Sequence, residues 1–218
     1  MQQYPILYSL QHCPYAIRAR MGILLAKQNV FLRAVDLKDK PEHMLEVSPT
    51  GTVPLLLLDE SSVIDESLDI MLWALGNNDP NNLLISETPN ELRTMLTVIK
   101  AYDNEFKDWL EKYKSAKRYH ETNKVYCREQ CESFISHLEQ RLALNDFFMG
   151  DEVTLVDYAI LPFIRQFARV ERQWYLQSPY PNVRQWLNKH LQSPLFSKTM
   201  TKYPLWLERH ESYLIGSN

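Results

Sequence analysis

At 218 residues, 45% of them hydrophobic, the chain is long enough for one large packed domain or two modest ones. A formal net charge of -3, with both signs interspersed and no Lys/Arg stripe among the aromatics, excludes a nucleic-acid-binding field. No uncharged run reaches the ~18 residues of a membrane span, no secretory leader is evident, and 3 cysteines make no disulfide framework, so a soluble protein of a reducing cytoplasm is expected.

Ile6-Leu7-Tyr8-Ser9-Leu10 reads as a strand, and behind Pro14 the residues Ile17, Met21, Leu24 and Leu25 recur at helical spacing. Cys13 therefore falls at the helix N-cap. Free backbone N–H groups and the positive end of the helix dipole favour a thiolate there, taking such thiols from ~8.5 to roughly 3.5–7.5. Ala16 stands where a resolving cysteine would sit in Cys13-Pro14-Tyr15-Ala16, so the thiol needs an external partner.

Strands are expected at 5–10, 31–36, 53–58 and 63–65, with helices at 14–28, 41–47 and 67–75 between and after them. The first βαβ unit implies a parallel pair. Asp59-Glu60-Ser61-Ser62 implies an antiparallel hairpin, giving a mixed four-stranded sheet and a small α/β domain over residues 1–76.

Gly76-Asn77-Asn78-Asp79-Pro80-Asn81-Asn82 is the richest turn cluster, and it predicts a linker over 77–87. No strand is expected beyond it, and residues 88–218 read as an all-α helical bundle. Thr88-Pro89-Asn90-Glu91 is a capping box that opens a helix carrying Leu92, Met95, Leu96, Ile99, Tyr102, Phe106 and Leu110. A second long helix runs from about Glu121 to Leu144. Thr154-Leu155-Val156-Asp157 is another capping box, with Val153 and Tyr158 placed for a hydrophobic staple, and its helix continues through Val170. Shorter helices follow Pro181 and Pro194.

Three features around the thiol point the same way. Cys13 at a helix start beside a mixed sheet is a thioredoxin-like arrangement; Val53-Pro54 opens the third strand, where a proline is tolerated. Asp65-Glu66-Ser67 ends the last strand and starts a helix, where N–H groups and a hydroxyl can hold a carboxylate while the glutamate meets an ammonium. With Lys40-Pro41-Glu42, Ser48-Pro49-Thr50-Gly51-Thr52-Val53-Pro54 and the Thr154–Asp157 box, these motifs resemble the glutathione transferase superfamily, in particular its cysteine-bearing omega- and lambda-like classes. Order and spacing hold from residue 4 to about residue 165; the last fifty residues match only as helices.

The resemblance implies that Pro54 follows a cis bond and faces the thiol, that Val53 pairs its backbone with the cysteinyl residue of glutathione as a one-residue strand addition, that Glu66 and Ser67 hold the γ-glutamyl head, and that Lys40 lies near the glycyl carboxylate. It implies a glutathione-dependent thiol transferase or reductase working through a Cys13–glutathione mixed disulfide, on glutathionylated substrates or small oxidants such as dehydroascorbate. Glutathione is then a co-substrate, with no metal. Acceptor-site candidates are Tyr102, Phe106, Phe163 and Trp174, and a homodimer is expected by resemblance. A rival reading keeps conjugation, with the Tyr8 or Ser9 hydroxyl serving a glutathione thiolate. Another is a protein-interaction module like the stringent starvation proteins, which lack the Cys-Pro pair. Cys127 and Cys131, four apart and without nearby histidines, read as free thiols rather than a zinc site. His12 adjoins the thiol, and Arg18 and Arg20 read as solvated charges.

Overall fold

The computed structural model describes residues 4–48, 50–59, 62–84 and 89–217, with the side chains of 89 and 90 excepted. Its residues form two compact units, one of residues 4–84 and 193–217, the other of residues 89–192.

The first unit opens with β1 (Ile6–Ser9), α1 (Pro14–Leu25), β2 (Val30–Ala34), α2 (Glu42–Val47), β3 (Leu55–Leu57), β4 (Val63–Ile64) and α3 (Ser67–Asn77), the expected order. β1 runs parallel to β2 and antiparallel to β3, and β4 pairs antiparallel with β3. Because β1 is central, its side chains are buried on both faces. On one face Tyr8 packs with Val35, Met44, Leu55 and Leu57. α1 is buried without a break from Ala16 to Ile23 and packs most extensively on α3. Gly22 permits that closeness: a Cβ there would lie 2.6 Å from the Met71 Cα, so any side chain would force the two helices apart. The turn cluster belongs to this unit. Asn78 Nδ2 donates to the Ala26 carbonyl at 2.7 Å, and the Asp79 carboxylate accepts from the N–H groups of Leu83 and Leu84. The expected linker is therefore packed structure through Leu84; its remainder, the Thr88 cap, Pro49 and hairpin residues 60 and 61 lie outside the described residues.

The second unit comprises α4 (Pro89–Ala101), a π-helical turn (Tyr102–Phe106), α5 (Lys107–Arg118), α6 (Lys124–Leu142), α7 (Leu155–Val170), α8 (Arg172–Gln177) and α9 (Pro181–Leu191). Its centre is aromatic: Tyr102 and Phe106 pack edge-on or tilted against Phe134, and Phe106 meets Phe167 at 6.1 Å. The capping box of α7 closes on Asp157, which is fully buried. One carboxylate oxygen accepts from the Thr154 N–H and hydroxyl, both at 3.0 Å. The other accepts from the Phe148 N–H and the Trp186 indole N–H, also at 3.0 Å. The same carboxylate thus starts α7 and ties it to α9 and to the loop before it.

The chain then returns to the first unit through α10 (Pro194–Thr199), α11 (Trp206–Arg209) and β5 (Tyr213–Ile215). β5 pairs antiparallel with β2, Leu32 opposite Tyr213 and Val30 opposite Ile215, so the sheet has five strands in the order β4-β3-β1-β2-β5. This corrects two expectations. A strand does follow the turn cluster, and the helical bundle does not extend from 88 to 218, because residues 193–217 pack with the α/β unit. Arg33 on β2 fastens the return, donating to Ser212 Oγ at 3.0 Å and stacking 3.9 Å from the Trp206 ring centre.

Asp157→Ala should strip the acceptor from two buried N–H groups and lower the unfolding free energy of the helical unit by roughly 3 kcal/mol. Chemical denaturation followed by helical circular dichroism measures this; a change below ~1 kcal/mol would show that the carboxylate is not a structural hub.

Candidate active site

Cys13 occupies the N-cap of α1, with extended backbone angles and Pro14 at the first helical position. The Ile17 N–H donates to the Cys13 carbonyl at 2.9 Å, closing the first turn and leaving the side chain at the helix mouth. Its Sγ lies 3.8 Å from the Val53 carbonyl oxygen. The Val53–Pro54 bond is cis, and β3 begins immediately after it. The thiol, after the end of β1, and the segment leading into β3 therefore lie at the same end of these two antiparallel strands.

Lys40 reaches the same segment from the other direction. Gly51 has a positive φ of 57°, and a Cβ built there would come within 2.9 Å of Lys40 Nζ, so the ammonium lies across the bare glycine. Glu66 is the exposed N-cap residue of α3, and Ser67 beside it is buried. The Ser67 hydroxyl accepts from Arg18 Nε at 3.0 Å, which leaves its own hydrogen able to donate.

Arg18 and Arg20 overturn the expectation of solvated charges, being 2% and 3% exposed. Arg18 bridges α1 to the start of α3. Arg20 Nη2 donates to the Gln11 carbonyl at 2.7 Å, Nη1 to the Leu10 carbonyl at 3.2 Å and to Ser9 Oγ, and Nε to the Thr199 carbonyl at 2.9 Å. Burial pulls the Arg20 guanidinium down to about 10, against the opposing influence of Cys13 and Tyr203, whose negative forms favour the charged guanidinium. The attraction is mutual, so Arg20 supplies positive charge to the thiol. A signal for this burial was present: over Pro14–Ala26 these arginines are the only charged residues in an otherwise apolar helix.

The hydroxyls of the rival reading are otherwise engaged. Tyr8 is fully buried; its hydroxyl accepts from Arg33 Nη1 and pairs with His43 Nδ1, both at 3.0 Å. Ser9 Oγ accepts from Arg20. Of the acceptor-site candidates, Tyr102 and Phe106 are core rings of the helical unit, and Tyr102 donates its hydroxyl to the Phe134 carbonyl at 3.2 Å. Phe163 is buried on α7. Trp174 is half-buried beneath the Arg128 guanidinium, 4.3 Å from the ring centre. Three of the four, Tyr102, Phe106 and Phe163, are thus buried in the core of the helical unit, a common place for aromatics at helical spacing. Cys127 and Cys131 are buried on α6, and burial pushes the Cys131 thiol up to about 12. Among the described residues, no group of His, Cys, Asp and Glu side chains could hold a metal ion, and no helix is long and apolar enough to cross a membrane.

A thiol at a helix start, facing the carbonyl that precedes a cis-proline on a mixed sheet, defines a thioredoxin-like unit, here joined to a helical one. Residues 7–82 match the family model of the glutathione S-transferase N-terminal domain, and residues 101–189 that of the C-terminal domain. The chain belongs to the glutathione S-transferase family, as an enzyme of omega-like class. It is 24% identical to the glutathione S-transferase omega-1 of Mus musculus over 97% of this chain and 86% of that one. It is 30% identical to the pyrimidodiazepine synthase of Drosophila melanogaster, over 86% of this chain and 77% of that one. Among solved structures, a glutathione transferase family member from Pseudomonas fluorescens with two glutathione bound matches with a TM-score of 0.78 at 16% identity, over 91% of this chain and 92% of that one.

Only one cysteine of the three is exposed enough to react. Native protein treated with iodoacetamide at pH 8 should therefore carry a single label, on Cys13, with Cys127 and Cys131 labelled only after denaturation. Peptide mass spectrometry reads the outcome, and rapid native labelling of Cys131 would contradict the burial described above.

Proposed function

We propose that this enzyme is a glutathione-dependent thiol transferase in which Cys13 is the catalytic residue. The observation that carries the reading is the 3.8 Å approach of the Cys13 Sγ to the Val53 carbonyl at the mouth of α1. That carbonyl is an acceptor for the backbone of an extended peptide laid beside it, and a cysteinyl residue bound there brings its sulfur to Cys13. Glu66 then meets the ammonium of a γ-glutamyl head and the Ser67 hydroxyl its carboxylate, with the N–H groups of the α3 start behind them. Lys40, lying over Gly51, offers a point charge to the glycyl carboxylate.

The reaction is an exchange of disulfides. The Cys13 thiolate attacks the glutathionyl sulfur of a mixed disulfide; that bond breaks, a Cys13–glutathione disulfide forms, and the substrate thiolate leaves with the electron pair and takes a proton from water. A second glutathione thiolate attacks the glutathionyl sulfur of the adduct, releasing oxidised glutathione and the Cys13 thiolate. In sum, one mixed disulfide and one glutathione give the substrate thiol and one oxidised glutathione, one disulfide bond being broken and one formed. The α1 dipole and the Arg20 charge favour the thiolate in both steps. Ala16 fits this route, since no cysteine on α1 competes with the second glutathione. The engagement of Tyr8 and Ser9 supports the thiol over a hydroxyl. A cavity of about 370 Å³ adjoins the loop Leu10–His12 that leads to Cys13, with Tyr203, Pro204 and Leu205 opposite, and its size suits a small acceptor.

Cys13→Ala should abolish reduction of a cysteine–glutathione mixed disulfide while leaving glutathione binding in place; turnover within about tenfold of the parent sinks the proposal. Ser67→Ala should raise the KM for glutathione by about tenfold or more with a smaller effect on kcat, the signature of a lost charge-assisted hydrogen bond. Steady-state kinetics at varied glutathione distinguish this from an unchanged KM, which would remove Ser67 from the binding site.

A further inference from the structure

The cavity of about 370 Å³ beside the Leu10–His12 loop is built wholly from the first unit, and its charged groups are sorted by sign. At the loop end Arg20 donates to the Leu10 and Gln11 carbonyls, and Gln11 Nε2 donates to the Met200 carbonyl at 3.2 Å, which sets Lys202 and Tyr203 into the same wall. At the far end stand Asp36 and Glu208. Both also line an adjoining cavity of about 100 Å³ that reaches Asp39, to which neither Arg20, Lys202 nor Tyr203 extends. We infer that the larger cavity receives the amino-acid half of a mixed disulfide between glutathione and cysteine or a related amino-acid thiol, its carboxylate toward Lys202 and Tyr203 and its ammonium toward Asp36 and Glu208. The inference rests on the thiol transferase reading above and names the class of its substrate.

The positive end is the more fully built. Tyr203 is half-buried, and its ring packs against Tyr213 of β5 with centroids 4.9 Å apart, so the returning strand holds it in place. Burial pushes its phenol up, against the Thr201 hydrogen bond and the Arg20 charge, and the hydroxyl keeps its hydrogen at neutral pH. With Thr201 donating to the phenol oxygen, that hydrogen can be offered to a carboxylate. Lys202 is exposed and adds a flexible point charge. Arg20, buried and satisfied by main-chain carbonyls, adds positive charge without needing a contact.

The negative end is held by the fold as well. The Ala34–Leu205 bridge joins the end of β2 to the start of α11, and so fixes the main chain near Asp36 to that near Glu208. One Asp36 oxygen accepts the Lys38 N–H at 3.0 Å, and a carboxylate so engaged retains acceptor capacity on the other. Among the described residues, Asp36, Glu208 and Lys202 make no ion pair with a side chain of the protein, so their charges are not cancelled internally. Leu32, Val35 and Leu205 give the wall apolar surface suited to a methylene and a sulfur. Exposed charges are ordinarily just solvated, but here opposite signs meet one small cavity from its two ends. A zwitterion pairs with both, whereas a neutral or singly charged acceptor leaves one end without a partner.

The amino-acid thiolate is the leaving group. As Cys13 attacks the glutathionyl sulfur, the sulfur–sulfur bond breaks and its electron pair goes to the amino-acid sulfur, which takes a proton from water. The test uses the whole protein and the glutathione mixed disulfides of cysteine, cysteamine, 3-mercaptopropionate and 2-mercaptoethanol, which carry both charges, the ammonium alone, the carboxylate alone and neither. Each kcat/KM is divided by the rate of the same disulfide with free glutathione, which removes differences between leaving thiols. The wild type should favour the cysteine disulfide over each of the other three by about tenfold or more. Tyr203→Phe should shrink the preference for cysteine over cysteamine by about threefold or more, and Asp36→Asn/Glu208→Gln should do the same to the preference for cysteine over 3-mercaptopropionate. Equal normalised kcat/KM for the four in the wild type, or preferences that both variants leave unmoved, would overturn the substrate assignment and leave the thiol transferase standing. No Cys13-dependent turnover of any of the four would remove the thiol transferase reading, and this inference with it.

Discussion

The buried guanidinium of Arg20 is the constraint on which the first unit depends. A charge taken out of water is tolerated only when its donors are satisfied, and here they meet the Ser9 hydroxyl and the Leu10, Gln11 and Thr199 carbonyls. Those acceptors come from the end of β1, the loop that precedes the thiol, and the last turn of α10. One side chain therefore sets the path of the chain into Cys13 and joins it to a segment almost 180 residues away in sequence. Arg18 does similar work on α1, locking the start of α3 by its bond to Ser67.

The base on which the thiol sits is closely packed as well as hydrogen-bonded. α1 has no solvent-facing residue over Ala16–Ile23, and Gly22 lets α3 approach until no side chain would fit between. A buried cationic network and close helix packing together hold the two groups that would frame the proposed site, Cys13 at one helix start and Ser67 at the other. In the exchange proposed above, orientation of the two sulfurs would benefit from such packing, because the entropy of alignment is met in folding rather than at each encounter.

Much of this was legible in the sequence. Proline after cysteine, proline leading β3 and the Ser/Asp caps have local physical meanings, so β1 through α3 and the α7 capping box could be placed from residue type and spacing. What was missed is non-local. β5 is three residues long, too short to show a period, and exists because β2 has an open edge. Arg18 and Arg20 are chemically ordinary as letters; their burial follows from the packing of α3 and α10 on α1. Tyr102 and Phe106 carried a helical period that fits a ligand-facing stripe as well as a core, and the rings of Phe134 and Phe167 decide in favour of the core.

The return of β5 to the sheet also bears on how the molecule is made. A ribosome delivers β1 through α3 first, then the whole helical unit, and only afterwards the strand and the α10 carbonyl that complete the first unit. Until then the β2 edge is unpaired and the Arg20 guanidinium lacks one of its acceptors. The helical unit, continuous in sequence, has no such wait. Vectorial synthesis therefore reverses the order in which the parts appear in the chain: the half that emerges second can mature first, and the thiol-bearing half is finished last.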